Sequence, residues 1–236
     1  MSFFQKYKYL LIYFLSIHYL VLLICPVFLT GIFAIFFYTP IDFQQGEMYK
    51  FMFMHVPFAW FSLILYSLLS GMSIIFLITK LDVIFTIVKS INKYGLVYTS
   101  LTLASGFLWS KPAWGFYWVW DPRLLNMILL FLMFFGNYLL INLLQHQDNY
   151  KKISSIFVVF GFLALPLIKH SVEWWASLHQ DTSYNLLQFA MEESSVLTIL
   201  NIILITTFNI ILFIISLEVK EKYILRKEKE RLIQSE

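Results

Sequence analysis

The sequence contains a single cysteine, Cys25, and few charges, since Asp, Glu, Lys and Arg make up only 13% of its 236 residues. One thiol forms neither an internal disulfide nor a CxxC redox pair, so thiol chemistry by this chain alone is excluded. Soluble domains are about one quarter charged, and this chain therefore has too little polar surface to cover itself in water. The net charge of +3 gives no electrostatic basis for binding nucleic acid.

Hydrophobic residues make up 60% of the chain and occur in long runs. Crossing a bilayer takes about 20 residues, and a spanning segment must satisfy its own backbone hydrogen bonds, which favours helices. We therefore predict an all-α, polytopic membrane protein with six transmembrane helices in one domain over residues 1–217, followed by a charged tail over 218–236. The six runs cover approximately residues 17–38, 52–79, 94–109, 122–144, 153–168 and 196–217.

Basic residues are concentrated on one side of this predicted layout. They lie near the N-terminus, in the connections at 80–93 and 145–152, and in the C-terminal tail. The positive-inside rule then predicts that both termini face the cytoplasm, or the matrix of an organelle. The connections at 39–50, 109–123 and 169–195 are predicted to face outward.

The outward connection at 109–123 is rich in aromatic residues. It contains four of the seven tryptophans: Trp109, Trp114, Trp118 and Trp120. An aromatic belt at the membrane interface would explain one or two of them, but four in twelve residues exceed what a belt requires. Flat rings at the water boundary suit a flat, largely apolar ligand such as a porphyrin.

Three other residues of this connection have ordinary structural explanations beside functional ones. Asp121 precedes Pro122 and a long apolar run, which is the pattern of a helix N-cap followed by proline at the first helical position. Arg123 either anchors the helix at the lipid headgroups or pairs with a carboxylate of the ligand, such as a haem propionate. Gly115 allows a tight backbone turn among bulky rings.

These residues form a recognisable motif. The connection resembles the WWD signature of haem-handling membrane proteins. Within that group, the length of the chain, its six-span layout and the flanking Trp109 and Lys111-Pro112 match the CcmC family best. Tyr117 and Leu125 depart from it, because many relatives have tryptophan and threonine there. The motif reads Trp114-Gly115-x-x-Trp118-x-Trp120-Asp121-x-Arg123-Leu124.

Two of the five histidines flank the tryptophan connection on the outward side. His55 precedes Pro57 at the start of the second run, and His179 lies four residues after Trp175, so on a helix the two would share a face. Each could equally be an ordinary interfacial or loop histidine. The resemblance implies that His55 and His179 are the axial ligands of a haem iron, and that Trp174 and Trp175 contact the haem. His170 does not match the family motif and is rejected as a ligand.

The resemblance also implies a function. A CcmC-like protein binds haem b on the outer face of the inner membrane and delivers it to the haem chaperone CcmE during cytochrome c maturation. Its expected partners are the ABC transporter subunits CcmA and CcmB and the small membrane protein CcmD. It is a haem-transfer partner rather than a classical enzyme. A composition rich in Ile, Phe, Lys and Asn indicates an AT-rich genome, which is compatible with a mitochondrial or a bacterial gene. The expected location is the mitochondrial inner membrane, with a bacterial inner membrane as the alternative.

Three alternatives make different predictions. A permease subunit of a haem or reductant ABC transporter requires polar residues deep in the spans, and few are evident beyond His18, Asn137 and Asn209. An electron-transfer subunit of cytochrome b type requires histidine pairs buried in helices. A complete cytochrome c synthase requires more chain to bind the apocytochrome.

Overall fold

The structure, a computed structural model, describes residues 29–33, 35–38, 41, 43, 45–179, and the isolated positions Leu225, Lys227 and Glu230. The chain divides into two compact units, one formed by residues 1–39 and 195–236 and the other by residues 40–194. The first unit contains the short apolar helix α1, Leu29–Tyr38. Within it, the rings of Phe33 and Phe37 stack with centroids 4.4 Å apart.

The second unit contains the remaining described helices. A 3₁₀ turn, Glu47–Phe51, leads into α2. The described residues of this unit contain no β-strand, which confirms the all-α prediction for this part of the chain. The helices are α2 (Met52–Thr79), α3 (Asp82–Trp114), α4 (Pro122–Leu143), α5 (Tyr150–Gly161) and α6 (Ala164–Trp174).

Among the residues that the structure describes, three helical segments are long and apolar enough to cross a membrane: Glu47–Thr79, Pro122–Leu143 and Tyr150–Ser171. They correspond to the second, fourth and fifth predicted runs. Helix α3 has 33 residues, as many as Glu47–Thr79, but it is less apolar. The sixth run, His18 and the connection beyond residue 179 lie outside the described residues, so the six-span layout and its orientation stay predictions.

The structure corrects the prediction that residues 80–93 form a connecting loop. Only Lys80 and Leu81 separate α2 from α3, and Lys80 has a left-handed backbone (φ 57°) that reverses the chain. The apolar residues between the charges pack as a helix face, since Phe85 contacts Phe76 (5.0 Å between ring centroids) and Tyr150 (5.6 Å). The charges of this segment therefore lie along a helix rather than in a loop.

Two further boundaries differ from the prediction. Helix α3 continues to Trp114, so the first half of the predicted loop at 109–123 is helical. The fifth run is interrupted between Gly161 and Ala164. Pro166 explains this interruption, because it has no N–H to donate to the carbonyl four residues earlier.

Helices α2 and α3 make the most extensive helix–helix contact in the described part of the chain. The buried face of α3 includes several small residues, and its hydroxyls donate back to carbonyls of the preceding turn, as Thr99 does to Gly95 (2.7 Å) and Thr102 to Tyr98 (2.8 Å). Small residues let membrane helices approach closely. This close approach sets the distance between α3 and His55 on α2.

Three buried polar side chains join α3, α4 and α5. The Asn137 amide donates to Asn92 Oδ1 (2.8 Å), Ser154 donates to Asn137 Oδ1 (2.7 Å), and the Asn92 amide donates to the Phe134 carbonyl (3.1 Å). Each amide thus finds its partner inside the bundle. Interhelical hydrogen bonds of this kind stabilise the packing of membrane helices.

Candidate functional site

His55 lies in the first turn of α2 and faces α3. Its Nδ1 is 3.0 Å from the Thr102 carbonyl oxygen and 3.3 Å from Ser105 Oγ. A carbonyl only accepts hydrogen bonds, so Nδ1 carries the proton and Nε2 keeps its lone pair. Gly106 makes room for the ring, because a Cβ at that position would lie 2.7 Å from His55 Cε1.

His179 lies in the non-helical segment that follows α6. Its Nδ1 donates to Asp121 Oδ1 at 2.7 Å. Two neighbours bind the other carboxylate oxygen: Ser177 Oγ donates to Asp121 Oδ2 (2.7 Å), and the Leu178 N–H donates to it (2.8 Å). A carboxylate only accepts, so His179 carries a proton on Nδ1, and its Nε2 takes no part in this hydrogen bond.

Asp121 caps the N-terminus of α4, as the Asp-Pro pattern predicted. Its Oδ1 accepts from the backbone N–H groups of Arg123 (2.9 Å) and Leu124 (3.4 Å). Burial alone would raise the pKa of this carboxyl. The hydrogen bonds from His179 and Ser177, the nearby His179 charge and the Leu178 N–H outweigh it, so the pKa lies well below its usual value. Asp121 is therefore an ionised, buried acceptor.

Two tryptophan rings connect the two histidines. The ring centroid of Trp109 lies 5.8 Å from that of His55 and 6.2 Å from that of Trp114. The Trp114 ring meets His179 edge to face at 4.7 Å. The structure thus brings together two predicted histidines that are more than 120 residues apart in the sequence.

The non-helical part of the tryptophan connection begins at Gly115. This glycine ends α3 in a left-handed conformation (φ 83°), and its N–H donates to the Lys111 carbonyl at 2.8 Å. The following Trp118 and Trp120 meet edge to face at 5.6 Å and expose 43% and 77% of their surface. The helix packing does not bury these two rings, which leaves their surfaces available to a ligand.

Trp174 and Trp175 mark the end of α6. Their rings are 5.9 Å apart, and each is about half exposed. Trp174 also stacks on His170 at 5.4 Å, and His170 Nδ1 lies 2.6 Å from Glu173 Oε2. The described contacts of His170 are therefore with its own helix. His170 does not belong to the row of rings between His55 and His179.

Some residues of this site were not singled out from the sequence. Trp109 was noted only as a flanking residue, yet it contacts His55 and donates from Nε1 to Gln45 Oε1 at 2.8 Å. No role was predicted for Gly106 or Ser177. Gly106 continues a three-or-four-residue spacing of small residues along α3, which is a readable signal for close approach. Ser177 has no comparable signal.

The fold and the site define a class: an apolar helical protein that carries a row of histidine and tryptophan rings beside one helix N-terminus. The family model of CcmC, described as heme exporter protein C, matches residues 4–235. The chain belongs to this family, which confirms the resemblance seen in its motif.

Curated relatives come from plants and bacteria. The chain is 41% identical over 144 residues to a putative cytochrome c biosynthesis ccmC-like mitochondrial protein of Marchantia polymorpha, covering 61% of this chain and 60% of the relative. It is 37% identical over 144 residues to heme exporter protein C of Bradyrhizobium diazoefficiens, covering 61% and 55%. The Escherichia coli K12 heme exporter protein C is 33% identical over 148 residues, covering 63% and 60%. The chain thus spans 55–60% of the length of these three relatives.

Proposed function

We propose that this protein binds haem on the outer face of an inner membrane and delivers it to the haem chaperone CcmE during cytochrome c maturation. One observation carries the proposal. Both His55 and His179 donate from Nδ1 to an oxygen that only accepts, so Nε2 is the nitrogen that each ring can offer to iron. A bis-histidine haem iron requires two such nitrogens.

The surrounding residues suit haem b as cargo. Trp109 and Trp114 form an aromatic row between the two imidazoles. The exposed rings of Trp118 and Trp120 offer flat apolar surface to a porphyrin. Arg123 lies in the first turn of α4, and a guanidinium there matches the carboxylate of a haem propionate.

Trp174 and Trp175 extend this proposed surface. Both rings are about half exposed and directly precede the segment that carries His179. We assign them to the outer rim of the haem site, where they would cover a porphyrin edge. Gly115 contributes through the backbone turn that leads to Trp118.

The proposed topology has six spans and both termini in the cytoplasm or the matrix. It places the site on the outer side, because the basic residues lie mainly on the other side. Relatives include mitochondrial and bacterial proteins. We propose the mitochondrial inner membrane for this chain, and a bacterial inner membrane is the alternative.

The proposed partners follow from the family. Haem would arrive with the help of the transporter subunits CcmA and CcmB and the small protein CcmD, and would leave to CcmE. Departure requires exchange of an axial ligand at the iron, and a site at the rim of the bundle gives an acceptor protein access to it. This is transfer of cargo rather than catalysis by covalent chemistry.

The permease alternative gains no support from the buried polar groups. Asn92, Asn137 and Ser154 hydrogen-bond one another or a backbone carbonyl. Mutually satisfied amides stabilise helix packing, and they do not line a route for a polar solute.

A transfer assay tests the proposal. The full chain in detergent is loaded with haem b and mixed with apo-CcmE, and the haem bound to each protein is measured after separation. We expect transfer from wild type and from His170→Ala, and none from the double variant His55→Ala/His179→Ala. A wild type that retains all its haem beside CcmE would contradict delivery.

A further inference from the structure

Asp121 uses both oxygens of its carboxylate within the protein. Its Oδ1 accepts from the backbone N–H groups of Arg123 and Leu124 and from His179 Nδ1, while Oδ2 accepts from Ser177 Oγ and the Leu178 N–H. Only 2% of the residue is exposed. A carboxylate with about four acceptor positions is saturated by these donors, so no capacity is left for direct contact with haem.

These contacts join two distant parts of the chain. Arg123 and Leu124 belong to the first turn of α4, whereas residues 177–179 follow α6 and lie 56–58 residues after Asp121 in the sequence. The last helical hydrogen bond of α6 runs from the Trp175 N–H to the Ser171 carbonyl (3.1 Å), and residues 176–179 are not helical. The carboxylate therefore ties His179 to a rigid helix end.

His55 is held in another way. It belongs to the helix α2, and its Nδ1 acceptor is the main-chain carbonyl of Thr102. Asp121 makes no described contact with His55. Loss of the carboxylate would thus leave His55 in place.

We propose that Asp121 is the positioning residue for His179: it holds this imidazole in ligating geometry without touching haem, whereas His55 is held independently by the Thr102 carbonyl. The inference rests on the proposed haem-binding function.

The variant Asp121→Asn separates this role from helix capping. Asparagine keeps Oδ1 and remains a good N-cap, but it is neutral, and its amide nitrogen replaces the oxygen that accepts from Ser177 and Leu178. The segment that carries His179 thus loses its attachment, and the remaining oxygen is a weaker, uncharged acceptor for His179 Nδ1. We expect the six-coordinate, low-spin absorption of the loaded protein to change to the five-coordinate, high-spin form expected of His179→Ala. Haem affinity should fall about 10- to 100-fold, as is typical when the hydrogen-bond partner of a ligating histidine is mutated. Free imidazole should restore the low-spin spectrum of both variants.

Double variants give the sharper test. Residues that act through one another are not additive. Asp121→Asn/His179→Ala should therefore match His179→Ala alone, whereas Asp121→Asn/His55→Ala should lose haem altogether. Asp121→Ser, which also keeps the cap, should reproduce the spectrum of Asp121→Asn.

Two results would overturn the inference: a wild-type low-spin spectrum in both Asp121 variants, or an additional loss of haem when Asp121→Asn is combined with His179→Ala. A different result would overturn the proposed function instead. If the wild type binds no haem, or if His55→Ala and His179→Ala both keep its spectrum, the ligand assignment fails whatever the Asp121 variants do.

Discussion

His55 belongs to a helix of 28 residues and donates to a main-chain carbonyl of the neighbouring helix, whereas His179 follows the last helical turn of α6 and donates to a side-chain carboxylate. The first arrangement depends on how closely two backbones approach. The second depends on one side chain, Asp121. Substitutions should therefore disturb the His55 half mainly through steric effects, and the His179 half mainly through lost hydrogen bonds.

The largest effect is expected from Gly106→Ala. The added Cβ would lie 2.7 Å from His55 Cε1, so the ring must move and lose its hydrogen bond to Thr102. We expect haem affinity to fall roughly 10- to 100-fold, measured by haem titration in detergent. Gly71→Ala on α2 is the matched control, because a Cβ there meets nothing within 4 Å. Equal haem affinities of the two variants would show that the space left by Gly106 does not position His55.

Asn137→Ala should separate the stability of the bundle from the haem site. It leaves the side-chain oxygen Oδ1 of Asn92 and the Ser154 hydroxyl without their hydrogen-bond partner. A buried polar group left unpaired costs about 1–3 kcal/mol, which we expect as a lower Tm with an unchanged haem spectrum. Asn142→Ala, an exposed position on the same helix, should change neither. An altered haem spectrum in Asn137→Ala would contradict this separation, because it would show that the buried amide network influences the haem site.

Ser177→Ala should weaken the His179 half partially. It removes one donor to Asp121 and the contact between the His179 N–H and Ser177 Oγ (3.1 Å), but it leaves the imidazole hydrogen bond intact. A net loss of about 1 kcal/mol corresponds to roughly fivefold weaker haem binding. Ser100→Ala, at an exposed position on α3, serves as the control. If Ser177→Ala lost as much haem affinity as Asp121→Asn, the serine rather than the carboxylate would be the main group that positions His179.

Thr102→Val is expected to have the smallest effect. His55 binds the main-chain oxygen of Thr102, which valine also supplies. The variant loses the Thr102 hydroxyl with its contacts to Ser62 (3.3 Å) and to the Tyr98 carbonyl (2.8 Å). The haem spectrum should remain that of the wild type. A shifted spectrum would mean that the threonine side chain orients the imidazole.

The sequence predicted the helices whose apolar runs are unbroken. Residues 52–79 and 122–144 were predicted within one residue of the bounds of α2 and α4. Helix α3 was predicted too short, because Asp82, Lys89 and Lys93 suggested a loop. On a helix these charges are spaced widely enough to leave an apolar face, and Phe85 packs from that face.

The site was predictable to a similar degree. The Asp-Pro pattern predicted the cap at Asp121, and the motif drew attention to His55 and His179. The contact between His179 and Asp121 spans 58 residues and depends on how α6 packs beside α4. No local pattern encodes such a contact. The close approach of α3 to His55 was readable in principle from the spacing of Gly95, Thr99, Thr102 and Gly106.

The most direct test of the central claim is the absorption spectrum of the purified full chain with haem b. Wild type is compared with His55→Ala, His179→Ala and the control His170→Ala. The account predicts a low-spin bis-imidazole spectrum in wild type and His170→Ala, which is lost or altered in each of the other two. A wild type without bound haem, or unchanged spectra in both His55→Ala and His179→Ala, would contradict it.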